Sequence, residues 1–215
     1  MYVRRMTKRR YSLGQRAASQ EETRRRIVEA TMQLHEDIGP RATTISAIAE
    51  KAGVQRLTVY RHFPDETELF KACTSHWLAL NPLPDPSRWA ALEGLARVHS
   101  ALHHLYAYYR TTEPMWTVVH RDEADVPALQ QPLAKVHAYL SEIRQDLFCH
   151  ISHRSEMSDR ILMTLGSAVC FSTWRSLSLF EARDDIIART VCDWLRGILR
   201  PGSSEYVSST FSNNK

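Results

Sequence analysis

Arg56, Thr58, Tyr60, Arg61 and His62 bring cations, hydroxyls and an imidazole into one short stretch. Such side chains hydrogen-bond phosphate oxygens and the edges of bases. A second possibility comes from ten histidines. His99 and His103 are four apart, the spacing that puts two imidazoles on one helix face within reach of a shared metal. No carboxylate or cysteine completes a local metal signature around them, so a polar lining is the plainer reading and no cofactor is expected. His150-Ile151-Ser152-His153 reads as a wet helix end, where a protonated imidazole suits the helix dipole. The chain has no Gly-x-Ser-x-Gly or Gly-rich phosphate loop, so enzymatic chemistry has no candidate site.

The polar cluster needs a scaffold, and Ile45 to Phe63 supplies one. Ile45, Ile48 and Ala52 form an apolar stripe at helical spacing. Ala49 is small enough for a close helix crossing. Gly53 sits where a turn favours positive φ, which glycine adopts without a steric penalty. Val59 then supplies the apolar residue by which a second helix packs on the first. This pattern predicts two short helices in the helix-turn-helix arrangement. The bland alternative is an ordinary helical hairpin in an all-α core.

Charge favours the first reading. The net charge of +4 is unevenly spread: residues 1–64 hold 13 Lys and Arg against 6 Asp and Glu, and residues 65–215 hold 15 against 18. The basic excess coincides with the predicted helix pair, as attraction to a phosphate backbone requires. Arg4, Arg5, Lys8, Arg9, Arg10 and Arg16 precede any apolar periodicity, and residues 1–18 are expected to be a disordered basic arm tracking phosphate or the minor groove. A merely solvated tail is the alternative.

The 43% hydrophobic and 24% charged fractions are those of a globular protein. No apolar run approaches a membrane span, the N-terminus lacks the apolar core of a secretory signal, and a cytoplasmic location is expected. Cys73, Cys149, Cys170 and Cys192 are scattered and read as small buried hydrophobes in a reduced protein.

Helices account for the rest. Ser19 and Glu22 form a capping box that should open a helix whose inner stripe is Ile27, Val28, Ala30, Thr31, Leu34 and His35, ending at Gly39-Pro40. Residues 19–64 form the helix-turn-helix domain. Asp65 caps a connecting helix over 65–80. Three prolines between Asn81 and Pro86 mark a domain boundary. Beyond it, 87–110, 114–122, 127–152, 157–180 and 184–199 read as helices, so 81–200 form a second helical domain, with 201–215 a disordered tail. Strand-type alternation is absent; the fold class is all-α.

Thr43-Thr44-Ile45, Ile48-Ala49, Ala52-Gly53-Val54, Thr58-Val59-Tyr60-Arg61-His62-Phe63 and Leu69-Phe70 resemble the N-terminal pattern of the TetR family of bacterial regulators. The match covers about residues 20–80 without a gap. The resemblance implies an N-terminal three-helix DNA-binding domain, a C-terminal helical ligand-binding and dimerisation domain, and a homodimer on double-stranded DNA. It also implies that Thr44, Arg56, Leu57, Thr58, Tyr60, Arg61 and His62 contact DNA, with packing an alternative for Tyr60. Three departures matter. Gln55 is a poorer N-cap than the family's usual Ser or Thr. Leu57 replaces a small residue, so it either faces the groove and touches a thymine methyl or packs inward. Asp65-Glu66 stand where the family often has a phosphate-binding Lys, leaving that contact to the N-terminal arginines.

The same resemblance places an effector cavity among the middle helices, and the residues suit a hydrophobic or aromatic small molecule. His99, Leu102, His103, Tyr106, Trp116, Val119, His120, Tyr139, Ile143, Phe171 and Trp174 are the candidate lining, with plain core as the alternative. The last two predicted helices should form a two-fold four-helix bundle through Ile161, Leu165, Ala168, Ser172, Ile187, Val191, Trp194 and Ile198. The expectation is a repressor released from a palindromic operator by an effector. The alternatives are an activator or effector-independent regulator of the same fold, or a helical metal-binding protein or enzyme using His99 and His103.

Overall fold

The computed structural model describes the backbone of residues 3–151 and 157–200, and the side chains of residues 15–151 and 157–200. The described backbone is helical, without strands. Its α-helices are α1 (Val3–Ile38), α2 (Ile45–Lys51), α3 (Arg56–His62), α4 (Glu66–Leu80), α5 (Gly94–Asp122), α6 (Gln130–Cys149), α7 (Ser158–Ala168), α8 (Phe171–Ser178) and α9 (Asp184–Leu199). Among the described residues, no helix is long and apolar enough to cross a membrane. The chain divides into two units, one of residues 1–82 with 114–134, the other of 83–113 with 135–215.

The N-terminal unit packs α1 to α4 around one apolar cluster. Ile27, Ile48, Val59 and Leu69 at its centre are at most 1% exposed, and they arrive at the helical spacings that the sequence showed. Residues 114–134, assigned by the sequence to the second domain, belong here. Leu129 and Leu133 lie in the same cluster, with Val119, Val126 and Ala128 packed against it. Removing this much apolar surface from water stabilises the unit at about 25 cal/mol per Å².

Helix boundaries differ from the sequence reading in three places besides the start of α5, which falls at Gly94 rather than at residue 87. First, α1 is already helical from Val3, where a disordered arm over 1–18 was expected. Ser19 is therefore an interior residue whose carbonyl accepts from Thr23 Oγ1, not an N-cap. Second, Pro114 lies inside α5, which runs unbroken through 111–113. Third, the helix expected over 157–180 is two, with Val169 and an extended Cys170 between α7 and α8. The tail at 201–215 and the wet end at His153 lie outside the described residues.

The C-terminal unit explains that third difference. Tyr106 donates its hydroxyl to Ala168 O at 2.8 Å, and Tyr109 to Val169 O at 2.7 Å. These two buried phenols satisfy carbonyls that the end of α7 leaves unpaired, so the chain can turn there without Gly or Pro. Around them, Phe171 and Trp174 pack on Tyr109 with ring centroids 5.5 and 5.9 Å away. Asp184 accepts from Trp174 Nε1 at 3.0 Å and from both Arg110 nitrogens, at 2.7 and 2.9 Å. Elsewhere in this unit Arg97 makes a two-pronged pair with Asp146 and donates to Ala90 O and Leu92 O, at 2.7 and 3.0 Å.

Burial corrects most of the expected dimer surface. Ile161, Leu165, Ala168, Ile187 and Val191 are at most 2% exposed within their own unit, so they have no surface left for a partner. Ser172 and Trp194 are exposed, and Ile198 is half-buried. The large apolar side chains standing free on these helices and the turn after α8 are Met163, Leu179, Phe180 and Trp194. Two of the four cysteines also depart from expectation, since Cys149 and Cys170 are exposed while Cys73 and Cys192 are buried.

Candidate nucleic-acid interface

The α2–α3 turn is built from the backbone outward. Ala49 and Ala52 are buried and small, so the two helices approach closely. Gly53 has φ +65°, the left-handed region that costs an L side chain about 1–2 kcal/mol. Its N–H donates to Glu50 O at 3.0 Å, and the Val54 N–H to Ala49 O at 2.9 Å. Arg26 of α1 donates to the carbonyls of Ala52 and Gly53. A Cβ at Gly53 would stand 2.8 Å from that guanidinium. Arg26 was not foreseen, because nothing in the sequence ties it to a turn so far along the chain.

Thr44 caps α2, its Oγ1 accepting from Ala47 N at 3.2 Å. The hydroxyl is exposed and keeps its own hydrogen to donate outward. Gln55 caps α3 without a side-chain hydrogen bond, in line with its weak capping ability. Asp65 caps α4 by accepting from Glu68 N at 2.9 Å. The capping carboxylate and the two acidic residues of that first turn, Glu66 and Glu68, make the start of α4 unfavourable for a phosphate.

On α3 the inner and outer faces separate cleanly. Val59 is fully buried, and Phe63, which follows the helix, is 2% exposed with the Arg24 guanidinium 4.6 Å above its ring. Arg56, Leu57, Tyr60 and Arg61 are exposed, while Thr58 and His62 are half-buried along the edges. Tyr60, at 46% exposure, points out rather than into the core, and Leu57, at 68%, does not pack inward. The face thus offers guanidiniums, hydroxyls and one bare apolar side chain to whatever meets it.

A clasp inside the same unit holds the entry to α2. Gly39, at φ +89°, ends α1. Asp122, at the end of α5 and 2% exposed, accepts from Arg41 N at 3.0 Å and from Arg121 Nε and Nη2 at 2.6 and 2.9 Å. Arg121 Nη2 also reaches Ile38 O at 3.1 Å. A Cβ on Gly39 would fall 2.5 Å from Asp122 Oδ2 and closer still to Arg121. The Arg121 hydrogen bonds hold the Asp122 carboxyl below its usual range. Nearby, buried His35 lies 3.8 Å from Cys73 Sγ and edge-on to Phe70, and its Nε2 has no hydrogen-bond partner among the described residues. Burial drives its pKa down to about 4, against a smaller upward pull from Asp122.

The expected effector lining divides between the units. Trp116, Val119 and His120 belong to the N-terminal unit, where Val119 packs on the core. His99, Leu102, His103, Tyr106, Tyr139, Ile143, Phe171 and Trp174 belong to the C-terminal unit. Within that set Tyr106 and Trp174 already spend their polar atoms on Ala168 and Asp184. Tyr139 donates to Pro84 O at 2.6 Å. His99 and His103 stack in parallel 6.4 Å apart, with His99 Nε2 3.3 Å from Asp185 O. The buried Nδ1 of His103 has no hydrogen-bond partner among the described residues. Among the described residues, no three His, Cys, Asp or Glu side chains gather in a way that could hold a metal ion.

Comparison with known proteins converges on the same segment. The family profile described as "Bacterial regulatory proteins, tetR family" matches residues 27–73. The chain is similar to the HTH-type transcriptional regulator SrpR of Pseudomonas putida, 40% identical over 72 residues that are 32% of this chain and 34% of SrpR. It is 39% identical over 72 residues to the uncharacterized HTH-type transcriptional regulator TtgW of Pseudomonas putida, covering 32% of this chain and 54% of TtgW. The matched segment thus spans about a third to a half of these relatives. Over the whole chain the likeness is one of fold. A crystal structure of NalD, the secondary repressor of the MexAB-OprM multidrug efflux pump in Pseudomonas aeruginosa, aligns with TM-score 0.55 and 19% identity, covering 86% of this chain and 99% of NalD. A tetR-family regulator from Rhodococcus aligns with TM-score 0.54 and 17% identity, covering 84% and 100%.

Proposed function

Because this chain belongs to the TetR family of bacterial regulatory proteins, a DNA-binding regulator of transcription, we propose that it is a cytoplasmic homodimeric repressor of a palindromic operator. The observation that carries this reading is the outward face of α3, with Arg56, Tyr60 and Arg61 exposed within the segment 1–64 that holds the chain's basic excess. Two such helices about 34–36 Å apart read an inverted repeat. Thr44, Arg56, Thr58, Tyr60, Arg61 and His62 make the contacts, the hydroxyls to phosphate and the guanidiniums to phosphate or guanine. Repression asks nothing of the chain beyond occupying the operator, whereas activation would need a further surface for the transcription machinery.

A small hydrophobic or aromatic effector releases the DNA by favouring a conformer with different helix spacing, a coupling of roughly 1–3 kcal/mol. We place its contacts at His99, Leu102, His103, Tyr139 and Ile143 of the C-terminal unit. The support is the unpartnered buried Nδ1 of His103, which a polar group on a ligand would satisfy. Dimerisation uses Met163, Leu179, Phe180 and Trp194, the large apolar side chains left exposed there.

Enrichment of random duplex DNA on the purified chain tests the central point. The expected product is an inverted repeat, with Arg56→Ala and Tyr60→Ala lowering affinity while helical content and dimerisation hold. Loss of folding in either variant would show its residue to be structural.

A further inference from the structure

Leu57 is the least expected residue on the exposed face of α3. It lies two positions before the fully buried Val59 and Arg61 two positions after it. At about 100° per residue, each stands about 200° around the axis from Val59. They are therefore the two side chains aimed most directly away from the core, and Leu57 is 68% exposed accordingly. A single exposed leucine on a protein surface ordinarily needs no explanation. This one stands at the apex of a face whose other members, Arg56, Tyr60 and Arg61, are hydrogen-bonding groups within the basic segment 1–64. In the major groove the bases present donors, acceptors and one apolar group, the C5 methyl of thymine.

We infer that Leu57 is a specificity-determining residue that reads a thymine methyl within each half of the operator. The inference rests on the DNA-binding reading above and adds to it the base that this side chain selects. Arg56 and Arg61 can hydrogen-bond phosphate or guanine, but neither distinguishes thymine from uracil. Leu57 does so by burying its isobutyl group against the methyl. Exposed Arg56 and Arg61 on the same face, and the basic excess of residues 1–64, favour DNA over an apolar protein partner as its occupant.

The test uses the full chain and the inverted repeat that it enriches from random duplex. Each thymine of a half-site is replaced in turn by uracil, which removes only the methyl. One position is expected at which uracil weakens wild-type binding about fourfold, the effect of exposing one buried methyl. At that position Leu57→Ala should bind thymine and uracil equally. Leu57→Thr, which keeps a methyl at the site, should retain part of the preference. The side chain is exposed, so both variants should match wild-type helical content and melting. Indifference to uracil at every position, or an undiminished uracil effect in Leu57→Ala, would overturn the inference and leave the regulator reading standing. A wild-type chain that enriches no sequence would overturn both.

Discussion

Gly53 and His35 show how much single residues decide in the N-terminal unit. Gly53→Ala places a side chain at φ +65° and 2.8 Å from Arg26. A loss of about 1–2 kcal/mol is expected, read as a lower urea midpoint, with weaker DNA binding as the turn shifts. His35 imposes a pH dependence. Burial lowers its folded pKa to about 4, while the unfolded value is near 6.5. The unfolded chain therefore takes a proton first, and stability is full above about pH 6.5 and falls as pH drops toward 4, by about 3 kcal/mol in all. Asp122, whose folded pKa is lowered by Arg121, adds a loss only below about pH 3.9. Urea unfolding between pH 7 and 4.5 should show this slope, and His35→Leu should flatten it; an unchanged slope would place the titration elsewhere. The sequence made the glycine and the inner position of His35 legible, because each follows from spacing. It could not show the Asp122–Arg41–Arg121 clasp or Arg26 on the turn, since these join residues far apart along the chain.

Helix ends written in local chemistry were legible at Asp65, Gly39 and Gly53, but the capping pattern at Ser19 lies inside α1. Boundaries set by distant partners were not legible. The α7–α8 break has neither Gly nor Pro and is held by the hydroxyls of Tyr106 and Tyr109. Phe replacements of both should leave two buried carbonyls unpaired and cost about 1–3 kcal/mol each. Arg97 ties α5 to α6 and closes the turn before α5. Arg97→Leu removes the two-pronged partner of Asp146, leaving it His150 Nδ1 at 3.6 Å, and uncaps the carbonyls of Ala90 and Leu92. Because Asp146 is partly exposed, the expected loss is about 2 kcal/mol rather than the larger value for a fully buried pair. A denaturant midpoint equal to wild type would show the pair to be incidental. The effector lining was the least legible part, because an apolar stripe that lines a cavity and one that fills a core have the same spacing.

For the whole molecule, the dimer proposed rests on apolar surface that the fold leaves uncovered. Phe180→Asp with Trp194→Asp alters exposed positions only, so the fold should persist while light scattering reports a monomer that binds the operator weakly. Persistence of the dimer would place the contact elsewhere. In the function proposed, DNA binding depends on the basic excess of residues 1–64 and on the exposed face of α3. The measurement that tests this most directly is a titration of the enriched inverted repeat with the wild-type chain across a range of salt, against Arg56→Ala. The predicted result is two chains per repeat and an affinity falling steeply as salt rises. The logarithmic slope should be shallower by about two in Arg56→Ala, through one lost phosphate contact in each of the two bound chains. Salt-independent binding, or equal affinity for a scrambled duplex, would contradict the account.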